Sequence, residues 1–163
     1  MDVGGGHGGL MEAILNKNPN LKGTVYDLPA VIEGTKQYIQ SAGLDKRCEC
    51  IAGSFFDSVP SGGDTYVMKH IIHDWSDEEA LTILQNCRQG IQVTGKLILL
   101  EAVIEPGNNP HPMKFADLEM IVQATGKERT EKEFRELFEK AGFKLTKIIP
   151  TPTIISIIEG IPS

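Results

Sequence analysis

The chain has 163 residues, 40% hydrophobic and 23% charged, the composition of one ordinary globular domain. Its net charge of -6 supplies no basic stripe to neutralise phosphates, which argues against nucleic acid as a partner. No apolar run approaches the roughly 20 residues that span a bilayer, and no charged segment followed by an apolar core marks a secretory signal. The elements then follow in chain order. Asp2-Val3 runs into glycines at 4, 5, 6, 8 and 9, the pattern of a strand ending in a tight loop that opens a helix. Without Cβ atoms such a loop passes close to a nucleoside-like ligand, and the helix from about Leu10 to Lys17 aims free N–H groups at the same space. Gly4, Gly6 and Gly9 also satisfy the dinucleotide fingerprint, so the loop alone leaves the cofactor open. A glycine-rich turn without a ligand is the bland alternative.

Thr24 to Asp27 reads as a short strand, and Pro29 to Gln40 as a helix with proline in its first turn and a stop at Gly43. Cys48 to Ala52 and Thr65 to Lys69 are further strands, the second bounded by turn residues from Pro60 to Asp64. Cys48 and Cys50 alternate along their strand and face one side as packing residues; with Cys87 they make an odd count without metal-ligand spacing, so reduced cytoplasmic thiols are expected. Ser76 and Glu79 make a capping box, and Leu81, Ile83, Leu84, Cys87 and Ile91 give the helix behind it an apolar face. Lys96 to Ala102 holds a continuous apolar run suited to a strand buried on both faces. Phe115 to Gln123 reads as helical. Thr130 and Glu133 cap a last helix, with Phe134, Leu137, Phe138 and Ala141 at helical spacing and Gly142 as its stop. Phe143 to Ile149 and Ile154 to Ile158 are strands joined by four residues, too few for a crossover helix, so they should pair antiparallel.

Two stretches carry chemistry. Asp27, at a strand end beside the glycine loop, can accept hydrogen bonds from both hydroxyls of a ribose; it also suits a helix entry before Pro29. Lys69-His70-Ile71-Ile72-His73-Asp74-Trp75 follows a strand and precedes a capped helix, which puts it at the carboxyl edge where open α/β sheets bind ligands. A neutral imidazole there can take a proton near pH 7.

An α/β sheet ending in a hairpin resembles class I S-adenosylmethionine-dependent methyltransferases, whereas a nicotinamide-binding Rossmann domain normally keeps its sheet parallel. Asp2-Val3-Gly4-Gly5-Gly6-His7-Gly8, Tyr26-Asp27-Leu28-Pro29, His73-Asp74-Trp75 and Gly126-Lys127-Glu128-Arg129-Thr130 occur together in this order. Over essentially the whole chain they resemble the plant-type O-methyltransferase family, which includes caffeic acid, isoflavone, acetylserotonin and bacterial polyketide O-methyltransferases. The last two motifs are far more specific than the glycine loop.

The resemblance implies a mostly parallel Rossmann-like sheet with a C-terminal antiparallel hairpin, helices on both faces and a shortened first strand. It implies S-adenosylmethionine as cofactor, no metal, and a small-molecule hydroxyl, expected to be phenolic, as acceptor. His73 maps to the family's general base, with His70 as a neighbour, and Glu101 and Glu128 to carboxylates flanking it. Gly4, Gly6, Asp27 and Lys69 map to cofactor contacts. The family's Gly-Asp segment reads Gly53-Ser54-Phe55-Phe56 here, so Ser54 replaces an acid near the adenine and Phe55 supplies stacking area. Met120 and Trp75 map to the acceptor side, while Met113 is better explained by helix packing. Family members also carry an N-terminal helical domain that forms a homodimer and closes the acceptor pocket. Residues 1–163 are expected to be the catalytic domain without it, a fragment with weakened cofactor binding. Relatives that decarboxylate or hydroxylate with the cofactor as an accessory, and an inactive remnant, are the rival expectations; a nicotinamide-binding domain is the remoter one.

Overall fold

The computed structural model describes residues 1–107 and 126–163. The helix expected at Phe115 to Gln123, with Met113 and Met120, lies outside them. In chain order the elements are β1 (Asp2–Val3), α1 (Gly9–Lys17), β2 (Gly23–Asp27), α2 (Pro29–Ser41), β3 (Cys48–Ala52) and β4 (Thr65–Lys69). A 3-10 turn (Ile72–Asp74) leads to α3 (Asp77–Gly90) and β5 (Lys96–Ile104). After the undescribed segment come β6 (Arg129–Thr130), α4 (Glu131–Lys140), β7 (Phe143–Pro150) and β8 (Ile155–Pro162).

One sheet runs β3-β2-β1-β4-β5-β8-β7, with β6 paired to the far end of β5. The strands from β3 to β5 are parallel; β8 is antiparallel to both β5 and β7. The chain lays β2 and β3 on one side of β1, then returns to lay β4 and β5 on the other. That reversal makes a switch point beside β1, where the loops leaving neighbouring strands part and open a crevice. β1 is only two residues long, yet it pairs with both neighbours, and Val3 is fully buried.

Strand alternation assigns the helices to two layers. Val25 packs with Met11 and Leu15 of α1 and Ile32 and Ile39 of α2. The next residue, Tyr26, points the other way, into the layer of Ile83 and Leu84 of α3 and Phe134 and Phe138 of α4. Cys48 and Cys50 both face the α1/α2 layer, as their spacing implies. Each fully buried Leu, Ile or Phe contributes about 1.5–3 kcal/mol, so both layers hold the sheet.

Both capping boxes form. Ser76 Oγ accepts from Glu79 N at 3.3 Å while Glu79 Oε2 accepts from Ser76 N at 3.1 Å; Thr130 and Glu133 repeat the exchange at 3.3 and 2.8 Å. The C-terminal hairpin is antiparallel, but β8 continues to Pro162, past the expected end at Ile158. Gly160 and Pro162 hide this extension, being poor strand formers. Gly160 is required there because the Phe138 ring lies where a Cβ would stand.

Candidate active site

β4 delivers Lys69 to the carboxyl edge of the sheet, and His70 follows with φ 55°, a left-handed turn that redirects the chain into the 3-10 segment carrying His73. Glu101, near the end of β5 and 0% exposed, secures that segment. Its Oε1 accepts from the N–H groups of Ile71 at 3.0 Å and Ile72 at 2.8 Å, so a side chain 30 residues distant starts the turn. Its Oε2 stands 4.0 Å from His73 Nδ1. Burial pushes the Glu101 carboxyl up to about 7.

His73 Nδ1 is 3.2 Å from Oε1 of the buried Glu128, and Nε2 is 3.4 Å from Asp74 Oδ1. With Glu128 as acceptor, Nδ1 carries the hydrogen and Nε2 keeps a lone pair. The Glu128 hydrogen bond raises the imidazole above its ordinary pKa, against the opposing effect of burial, and the nearby Glu101 and Asp74 carboxylates push the same way. This chemistry suits a base: one nitrogen free to take a proton, and carboxylates ready to stabilise the cation that forms.

Arg129 had no role assigned from sequence, yet it clamps this turn. Its guanidinium is buried and donates to Ile72 O at 2.8 Å, Trp75 O at 2.9 Å and Asp77 Oδ1 at 2.9 Å. Those carbonyls bracket His73 and Asp74 in the chain. Gly126 touches the His73 carbonyl so closely that no side chain fits there. The Gly126-to-Thr130 motif thereby works as one unit: the glycine permits contact, Glu128 orients the imidazole and Arg129 holds its backbone.

Across the crevice, Asp27 ties down the glycine loop. Its Oδ2 accepts from Gly6 N at 2.8 Å and its Oδ1 from Leu28 N at 2.7 Å. The buried Thr35 hydroxyl, another residue without an assigned role, donates to Gly6 O at 2.7 Å. Each Asp27 oxygen retains a second lone pair. Gly4 has φ 70°, and a Cβ on it would stand 2.6 Å from Ile71 Cδ1, so only glycine lets the loop meet the base-bearing segment.

Between the two lies a cavity of about 250 Å³, lined by Gly4, Asp27, Ser54, Phe55, Asp74 and Trp75 among others. Phe55, Phe56 and Trp75 make its aromatic wall, with ring centroids 4.7 to 6.1 Å apart in edge-on contacts. The Asp27 carboxylate and the Asp74 residue next to His73 thus share one cleft. Trp75, assigned to the acceptor side by resemblance, stands with Asp27, Ser54 and Phe55. Lys69 is exposed at the strand end and does not line this cavity.

Residues 1–144 match the O-methyltransferase domain family. The chain belongs to that family. A phenazine O-methyltransferase of Lysobacter antibioticus is 38% identical over 162 residues, 99% of this chain and 48% of that protein. A cephaeline 6'-O-methyltransferase of Carapichea ipecacuanha is 41% identical over 169 residues, 99% of this chain and 46% of its own. The solved structure of the O-methyltransferase NcsB1 from neocarzinostatin biosynthesis, in complex with S-adenosylmethionine and 2-hydroxy-5-methyl naphthoic acid, superposes with a TM-score of 0.91. It is 35% identical, and the match covers 99% of this chain and 48% of that one. This O-methyltransferase-family chain therefore spans about half the length of the relatives it matches. Among the described residues no helix is long and apolar enough to cross a membrane.

Proposed function

We propose that residues 1–163 form the catalytic domain of an S-adenosylmethionine-dependent O-methyltransferase, with His73 as the general base toward a phenolic hydroxyl of a small molecule. One observation carries this reading: His73, held between Glu128 and Glu101, adjoins through Asp74 the cleft that the Asp27-tied glycine loop walls on its other side.

The cleft fits the cofactor on its own terms. Gly4 lines it with bare backbone where a Cβ would press on Ile71, the free lone pairs of Asp27 suit a ribose diol, and Phe55 and Trp75 offer apolar faces to a purine. In this role Gly4, Gly6, Asp27, Ser54, Phe55 and Trp75 hold the nucleoside, with Lys69 at the rim. When bound, S-adenosylmethionine supplies an electrophilic methyl group on a sulfonium. His73 Nε2 removes the acceptor's proton as its oxygen attacks, Glu128 keeps Nδ1 protonated, and the carboxylates stabilise the imidazolium. A phenol has a pKa of about 10, so base assistance matters near neutrality. Met120 remains a proposed acceptor contact on the strength of the family resemblance.

The test is incubation with S-adenosylmethionine and a panel of phenols, reading S-adenosylhomocysteine and methylated product by mass spectrometry. His73→Gln should lower turnover by about 10²-fold or more while S-adenosylhomocysteine affinity changes less than about threefold. Undiminished turnover in that variant removes the base assignment. A product altered without S-adenosylhomocysteine release removes methyl transfer itself.

A further inference from the structure

His70 has no part in the reaction above, yet its ring centroid lies 5.3 Å from that of His73. One donor atom from each of His70, His73 and Glu101 falls within 4.8 Å of the others. A second observation points to a ligand. Glu101 Oε2 is buried, close to His73, and takes no hydrogen bond among the described residues. A buried carboxylate oxygen left so costs stability unless something positive or hydrogen-bearing meets it.

We propose that His70, His73 and Glu101 form a binding site for a divalent transition-metal ion of the zinc class, and that occupation of this site switches the base off. Two imidazole nitrogens and one carboxylate oxygen are a donor set such ions favour, leaving a fourth position for water. Zinc bonds of about 2.0–2.2 Å in a tetrahedron put donor atoms about 3.3 Å apart, so a cluster whose donors lie within 4.8 Å of one another must tighten by up to about 1.5 Å. His70 can supply that movement, because it is only partly buried and forms part of the open strand-end turn. No electrons are exchanged: the ion takes lone pairs and replaces protons. If it takes Nε2 of His73, the basic lone pair is consumed. If it takes Nδ1, the ring hydrogen moves to Nε2 and that nitrogen cannot accept another. Either way the imidazole stops serving as a base, and a chelator restores it.

Cobalt(II) is the probe, because a tetrahedral site gives it intense visible absorption. Equimolar Co²⁺ added to the metal-free chain should produce that absorption, with Zn²⁺ displacing it. His70→Asn suits the left-handed backbone and should weaken the titration by more than about tenfold. Glu101→Gln, which can still accept from Ile71 and Ile72, should do the same. Zn²⁺ should inhibit methyl transfer by the parent chain reversibly, while His70→Asn keeps its turnover and resists Zn²⁺. Absence of the equimolar absorption overturns the site, as does a titration unchanged in His70→Asn. So does a thiolate charge-transfer band that vanishes in Cys50→Ser. The inhibition arm rests on His73 being the base, whereas the absorption arm does not, so the two failures are distinguishable.

Discussion

Replacing Arg129 by methionine keeps a long, unbranched, apolar body in the buried space but removes every donor. Two partners suffer most. The Ile72 and Trp75 carbonyls lose bonds of 2.8 and 2.9 Å. Asp77, 59% exposed, turns back to water and loses little. The Ile72 carbonyl keeps a long 3.4 Å bond from Trp75 N and the Trp75 carbonyl is only part-buried, so at about 1–3 kcal/mol per orphaned acceptor the two together cost at most about 2–6 kcal/mol. Relief of the guanidinium's own desolvation offsets part of this, which leaves about 2–3 kcal/mol. For a domain of this size each kcal/mol moves Tm by about 2–4 °C, so scanning calorimetry should find a fall of about 4–12 °C. The loosened segment is the one carrying His73, so kcat should drop about tenfold or more while S-adenosylhomocysteine affinity, measured by titration calorimetry, changes far less. Arg129→Lys, with its charge kept but its planar fork lost, should recover only part of both effects. A methionine variant melting within about 1 °C of the parent with unchanged kcat would refute the clamp.

Glu128→Gln leaves an oxygen that can accept from His73 Nδ1 but loses the carboxylate whose hydrogen bond contributes most to raising the His73 pKa, so the rising limb of kcat/KM against pH should move to lower pH as its plateau falls. Asp27→Ala frees Gly6 N and Leu28 N, so S-adenosylhomocysteine affinity should fall by about tenfold or more, with a Tm loss of a few degrees. Gly4→Ala combines a φ of 70° with a 2.6 Å clash against Ile71, and should cost about 1–2 kcal/mol in urea denaturation. Burial lifts the Glu101 pKa from 4.5 to about 7, worth about 3 kcal/mol at ~1.4 kcal/mol per pH unit. A raised carboxyl stabilises fully below its unfolded pKa and loses that contribution as pH climbs through its folded one. Stability should therefore decline between about pH 5 and pH 8 in the parent and much less in Glu101→Gln, as denaturation curves at several pH values will show.

What was legible in the sequence was local. Ser76 with Glu79 and Thr130 with Glu133 announce helix starts because both partners sit within four residues of each other. The pairing of β7 with β8 follows from the short link between them. Pairing over greater distances was not legible. Arg129 meets carbonyls more than 50 residues away, and nothing in the order Lys127-Glu128-Arg129-Thr130 says which side chain turns inward. Thr35 resembles an ordinary helical threonine until α2 brings it under the Gly6 carbonyl. The end of β8 is hidden in the sequence because Gly160 answers to the Phe138 ring and not to strand propensity. Glu101, His73 and Glu128 came from resemblance; residue order alone makes Glu101 a strand-end acid, and only the fold shows one of its oxygens starting the turn while the other faces the imidazole.

The opposed orientations of Val25 and Tyr26 leave the domain with two separable faults. Damage behind Val25 would slacken the helices supporting the nucleoside end, whereas damage behind Tyr26 would disturb the scaffolding of the proton acceptor. Both layers share the strands between them, β2 above all since it carries both residues, so a defect in one would be felt by the other through the sheet.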